Sequence, residues 1–194
     1  MRRMVVLRVA TVALAAGVFS LSGLAQTPSY EQFANQLAPT VGSPEQAVDR
    51  MLQMAKLKPG ETLYDLGCGD GRIVIAAARQ YKVKAVGVEI NERLARRAAA
   101  NAKKAGVEDH VVIQHGDMRR TDLSHADVVT LYLATTANET LRPALERSLR
   151  PNTRVVSYDY PIPGWQAMST ADTTGASGDV HTIYLYQVPE SIRK

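Results

Sequence analysis

The stretch YDLGCGDGR, residues 64 to 72, leaves few folds open. Three glycines and two acids follow directly on the apolar run TLYDLG. Beyond them Val74, Ala77, Ala78 and Tyr81 recur at helical spacing. A buried strand that passes through a glycine-rich turn into a helix is the first half of a βαβ unit. Glycines in such a turn permit positive φ and let a ligand come close. The helix that follows presents unpaired N–H groups.

The same alternation runs through the chain. Upstream, Ser43 as N-cap, Pro44 at the first helical position and Gln46 completing a capping box predict a helix. Its apolar face is Val48, Met51, Leu52 and Ala55, and Pro59-Gly60 ends it. After TLYDLG the pattern predicts a helix over 70–81, the strand KAVGVEI, and a helix capped by Asn91 that runs to Ala105. Leu94, Ala98, Ala102 and Ala105 form the inner stripe of that helix, and Gly106 stops it. Strands HVVIQHGD and ADVVTLYL follow, then a helix over 137–149 and the strand RVVSYDY. Residues 161–179, rich in Pro, Gly, Thr and Ala, read as a loop or irregular hairpin before a last strand, HTIYLYQV. Strands separated by helices imply a parallel sheet covered on both faces. The last strand follows no helix and is expected to pair antiparallel. The prediction is an α/β, Rossmann-like, doubly wound and mostly parallel sheet with an antiparallel C-terminal strand. It forms a single domain over 44–194, a length that supports one core.

Residues 1–25 are set apart from the fold. Arginines at the start, an apolar run and small residues at the end make a secretory signal, with cleavage expected after Ala25. The alternative is a retained membrane anchor, because Val9–Ala25 is at the short end of a spanning helix. Either reading places the domain outside the cytosol, in the periplasm or at the outer face of the inner membrane. Residues 26–43 read as a linker or an ordered arm.

Charge and cysteine content exclude several classes. The net charge of +4 is modest, and Arg93, Arg96, Arg97, Lys103 and Lys104 read as a solvated helix face, so no nucleic acid is expected as partner. The one cysteine, Cys68, excludes a disulfide framework and a cysteine-based zinc site, and it reads as a small packed residue. His110, His115, His125 and His181 are scattered and read as structural; no metal is expected.

The turn itself narrows the ligand. A dinucleotide fingerprint needs a fourth glycine-type position at Arg72, and a phosphate-cradling loop needs Gly-Lys-Ser/Thr; both are missing. Asp65 and Asp70 would repel a pyrophosphate but welcome a cation. A ligand with an amine, a carboxylate, a ribose and an adenine fits. Asp65 orders the amine, while Gly67, Gly69 and Gly71 let the ligand lie close. Glu89, about 20 residues on at a strand end, takes the ribose hydroxyls, and Ile90 covers an adenine face. Asp117 accepts from the adenine amine, and Met118 packs on the ring.

With these residues in place the chain resembles the class I S-adenosylmethionine-dependent methyltransferases over most of residues 43–160. SPEQAVDRMLQMA, DLGCGDGRIVIAAA, DVVTLYL and LRPNTRVVS are similar to one subfamily. It contains the mitochondrial lysine methyltransferases that modify ATP synthase subunit c and the adenine nucleotide translocase. The resemblance implies S-adenosyl-L-methionine as cofactor and an arm around Leu37–Pro44, with Thr40, that closes over it. It also implies a protein lysine as acceptor, possible membrane embedding of that protein, and a monomeric enzyme. The alternatives are a small-molecule methyltransferase and a non-catalytic S-adenosylmethionine-binding protein. Acceptor-side candidates sit at the ends of the fourth and fifth strands: Tyr132, Asp159 and Tyr160, with Trp165 as a wall. LYLATTAN stands where base amino-methylating relatives carry Asn/Asp-Pro-Pro-Tyr/Phe, which argues against that activity.

Overall fold

The computed structural model describes residues 42–175 and 178–192. The segment 1–25, Thr40 and all of the 26–43 arm except its last two residues lie outside the described residues.

Helix α1 (Glu45–Ala55) lays Val48, Met51, Leu52 and Ala55 on the sheet as the period predicts. The expected capping box does not form. Pro44 holds the cap position without a side-chain bond, and the Ser43 carbonyl is taken by the Arg72 guanidinium at 2.7 Å. Strand β1 (Thr62–Leu66) then passes through the glycine turn into α2 (Arg72–Tyr81). Strand β2 (Lys84–Glu89) leads to α3 (Glu92–Lys104), which Asn91 caps by accepting from the Leu94 amide at 3.1 Å. Ala95, Ala98 and Ala102 are its buried stripe; Leu94 sits half-buried beside it, one position off the expected face. Strand β3 (Val111–His115) and β4 (Val128–Leu131) are joined by a single 3-10 turn, Met118–Arg120. Helix α4 (Thr135–Ser148) and strand β5 (Arg154–Tyr158) complete the alternation.

The segment 161–179 is more ordered than expected. Ser169–Thr174 forms β6, antiparallel to the last strand β7 (Val180–Gln187). STADTT lacks apolar alternation because β6 is an edge strand with both faces largely open, and its threonines supply β propensity instead.

The sheet order is β3-β2-β1-β4-β5-β7-β6. Pairs among β1 to β5 are parallel, and β7 inserts antiparallel between β5 and β6, as the missing last helix requires. One core packs α1 and α2 on one face through Met51, Leu52, Val74, Leu63, Val128 and Val156. The other packs α4 through Leu141 and Leu145 on Leu66, Val129, Leu131 and Val155. With only a 3-10 turn between β3 and β4, the second face is thin over β2 and β3, where Val112 is 56% exposed. The strand order reverses at β1 and β4, so the crevice for a ligand opens at their carboxyl ends.

Candidate active site

Three glycines shape the turn after β1. Gly67, Gly69 and Gly71 all have positive φ (82°, 56° and 83°), where a side chain is strained. Gly71 also touches α3: a Cβ there would stand 3.1 Å from the Ala98 Cβ. The amides of Gly67 and Cys68 both donate to the Val88 carbonyl at 2.8 and 3.1 Å, tying the turn to β2. Asn101 of α3 donates to the Asp70 carbonyl at 2.9 Å from the other side. Cys68 is buried against Gly87, and burial pushes its thiol far up, so it is the small packed residue expected.

Glu89 is oriented before any ligand arrives. Its Oε2 accepts from the Gly69 amide and its Oε1 from the Asn91 amide, both at 2.9 Å. Each oxygen keeps lone-pair capacity for a further donor, which suits a pair of ribose hydroxyls. Asp65 lies 2% exposed at the end of β1, with Oδ1 accepting from the Thr130 hydroxyl at 2.8 Å. Burial pushes its carboxyl up to about 7, the Thr130 bond opposes this, and Glu89 and Asp70 add repulsion. Among the described residues no cation pairs with this carboxylate, and a ligand ammonium would supply one. On these observations the residues present fit S-adenosylmethionine at its amine and ribose ends.

Two acids are less available than the sequence suggested. Asp70 is bonded by the Arg72 guanidinium at 2.9 and 2.8 Å, which holds its carboxyl below the usual range. Asp117 is bridged by Arg119, whose Nε and Nη2 reach it at 3.1 and 2.8 Å while the Arg119 amide donates to Oδ1. The carboxylate meant for the adenine amine thus already carries a guanidinium. Asp117 nonetheless lines a cavity of about 410 Å³ with Tyr64, Val88, Gly116 and Arg120. Ile90 stands at the end of β2, its carbonyl 3.0 Å from His115 Nε2, and Met118 leans on the α4-side core.

The acceptor side forms at the ends of β4 and β5. Tyr132 follows Thr130 by two residues and so faces the same side of the sheet as Asp65's partner. Its ring lies 4.8 Å from Tyr158 and 6.3 Å from Tyr160. Asn138 at the start of α4 donates to the Tyr160 carbonyl at 3.0 Å and fixes that turn. Asp159 adopts left-handed backbone, φ 69°, and its carboxylate contacts His181 Nδ1 at 2.9 Å. Burial, then the Asp159 charge, pushes the Tyr132 phenol up to about 12. Tyr132 therefore stays protonated at neutral pH.

Trp165 is not brought to this group. Its indole is in the core on the α4 face, edge-on to Tyr186 at 5.7 Å, and donates to Glu146 at 3.0 Å. Tyr132 belongs to the opposite face, so the sheet separates the two. His181, read as structural, contacts the Asp159 and Asp179 carboxylates. Asn138, Asn101 and Thr130 were also missed.

The sequence profile of the ANTKMT methyltransferase domain matches residues 65–169, more than half of the chain. A protein-lysine N-methyltransferase of Saccharolobus islandicus (strain REY15A) is 46% identical over 153 residues, 78% of this chain and 94% of that one. The adenine nucleotide translocase lysine N-methyltransferase of Mus musculus is 30% identical over 171 residues, 87% of this chain and 74% of that one. A crystal structure described as an RNA methyltransferase from Salinibacter ruber with S-adenosyl-L-homocysteine superposes with a TM-score of 0.74. Its identity is 45%, over 79% of this chain and 97% of that one. The chain thus belongs to the ANTKMT methyltransferase domain family of S-adenosylmethionine-dependent enzymes.

Proposed function

We propose that this methyltransferase N-methylates lysine side chains of a protein. The observation that carries the reading is the acceptor end: a carboxylate, Asp159, beside the rings of Tyr132, Tyr158 and Tyr160. Aromatic faces and an acid attract an ammonium. The names of the Saccharolobus islandicus and Mus musculus relatives support the same acceptor.

When bound, the cofactor supplies a methyl group on a positively charged sulfur. The chain's own work is to bind, align and desolvate. Glu89 and Asp65 fix the ribose and amine ends. The rings of Tyr132 and Tyr160 hold the lysine stem and exclude water, with Tyr158 buried behind them. A lysine must lose a proton before its nitrogen can attack, and Asp159 is the group placed to take it. The N–H bond breaks, the nitrogen keeps the pair, and an O–H bond forms on Asp159 until water removes the proton.

A second reading, methylation of RNA, is favoured by the description of the Salinibacter ruber relative. Against it, Asp159 and Asp179 repel a phosphate backbone at the acceptor end. The two separate in one assay. The full-length enzyme is given methyl-labelled S-adenosylmethionine with protein extract or with RNA from the source cells. Label recovered as Nε-methyllysine after hydrolysis supports the lysine reading; label in nucleosides alone overturns it. For residues 1–25 we propose export or membrane anchoring, and sequencing of the mature N-terminus would begin at Gln26 if Ala25 marks the cleavage site.

A further inference from the structure

β7 runs antiparallel beside β5, with Ile183 opposite Tyr158. That register carries His181 two residues further on, to the turn that holds Asp159 and Tyr160. The Asp159 amide donates to the Thr182 carbonyl at 2.7 Å, which locks the two segments together. The imidazole then lies between two carboxylates. Nδ1 meets Asp159 Oδ2 at 2.9 Å, and Nε2 meets Asp179 Oδ2. Its ring is 5.5 Å from Tyr158, which in turn lies tilted against Tyr132 at 4.8 Å.

This arrangement has a chemical consequence. A neutral imidazole has one N–H and one lone pair, so it can donate to only one of two carboxylates. Facing two, it is favoured in its doubly protonated form. The other titratable group that faces it, the Tyr158 phenol, is itself kept neutral by burial. The Asp159 and Asp179 carboxylates are what hold the imidazole protonated to higher pH than usual. An imidazolium cannot take a proton from the acceptor. It can fix a carboxylate.

We infer that His181, held by Asp179, is a positioning residue that aims the Asp159 carboxylate at the acceptor ammonium. One oxygen of Asp159 is bonded by Nδ1, and the other is left for the incoming N–H. The group carries one net negative charge when Asp159 and Asp179 are ionised and His181 is protonated, so it attracts an ammonium and stays selective for cations. The left-handed backbone at Asp159 is the strained position through which the side chain is turned inward. The inference rests on the lysine reading above.

The test uses the full-length chain as wild type, Asp179→Asn and His181→Gln, each checked for folding by circular dichroism. Imidazole nitrogen resonances of wild type and Asp179→Asn are followed against pH without any acceptor. The Asp179→Asn change is expected to lower the pH midpoint of His181 from its wild-type position. In the extract assay His181→Gln is expected to slow lysine labelling by about 10²-fold, the scale of a misplaced reacting group. Its calorimetric affinity for S-adenosylhomocysteine stays at the wild-type value. A His181 midpoint that is the same in wild type and Asp179→Asn overturns the clamp. Lysine labelling at the wild-type rate in His181→Gln overturns the positioning role alone. Absence of lysine labelling by the wild type overturns the lysine reading and this inference with it.

Discussion

At Glu89 one side chain serves both the protein and the ligand. Its two oxygens already accept from the Gly69 and Asn91 amides, so replacement by alanine would loosen the turn as well as the ribose site. Glu89→Gln is the cleaner change, since it keeps one acceptor and removes the charge. A charged hydrogen bond is worth about 1.5–3 kcal/mol, so affinity for S-adenosylmethionine should fall about 10- to 100-fold by calorimetry. Asp65 gives a prediction with a sign. Its folded carboxyl lies at about 7 against 3.8 unfolded. Between these values the folded chain keeps a proton that the unfolded chain loses, so the ligand-free protein loses stability as pH rises through that window. The limit is about 4 kcal/mol for the full shift. Asp65→Asn, which still accepts from Thr130, should therefore melt higher than wild type at about pH 8, above the folded value. The gap should close at about pH 4, near the unfolded value, and cofactor binding should be lost. If the Asp65→Asn variant instead melts lower than wild type on the alkaline side, the account of Asp65 is sunk.

Among the elements, the helices and parallel strands follow from the sequence because their apolar patterns differ, a period of about 3.6 against a continuous run. Strand β6 was hidden because an edge strand open on both faces carries no apolar alternation to read. The capping box failed because the helix starts one residue later than its pattern implies, with Pro44 rather than Ser43 at the cap, and the Ser43 carbonyl is taken by Arg72, 29 residues away. Trp165 shows the same limit. An aromatic in a loop reads equally as wall or as packing, and the sheet decides by placing it on the α4 face with Tyr186 and Glu146. Trp165→Phe deletes the bond to Glu146 and should cost about 1 kcal/mol. It should lower the melting temperature and leave both cofactor affinity and turnover as they were. A turnover defect in a folded Trp165→Phe protein would return the indole to the acceptor side.

For the molecule as a whole, the cofactor half of the site was legible and the acceptor half only partly so. Asp65, the glycines and Glu89 lie on consecutive strand ends of one half-sheet, so position in the sequence maps onto position in space. Even the pairing of Asp70 and Asp117 was written locally: both stand in Asp-x-Arg, and in both the arginine folds back on the acid. The acceptor half draws on β4, β5 and β7, and only the antiparallel register brings His181 to Asp159. They are 22 positions apart in the sequence, with a strand between. A Cβ on Gly42 would overlap the Arg72 guanidinium, so the backbone lies flat against the residue that braces the glycine turn. A side chain introduced at Gly42 would therefore push that guanidinium off its bonds to Asp70 and the Ser43 carbonyl, and a change in a distant part of the sequence would reach the methyl-donor turn.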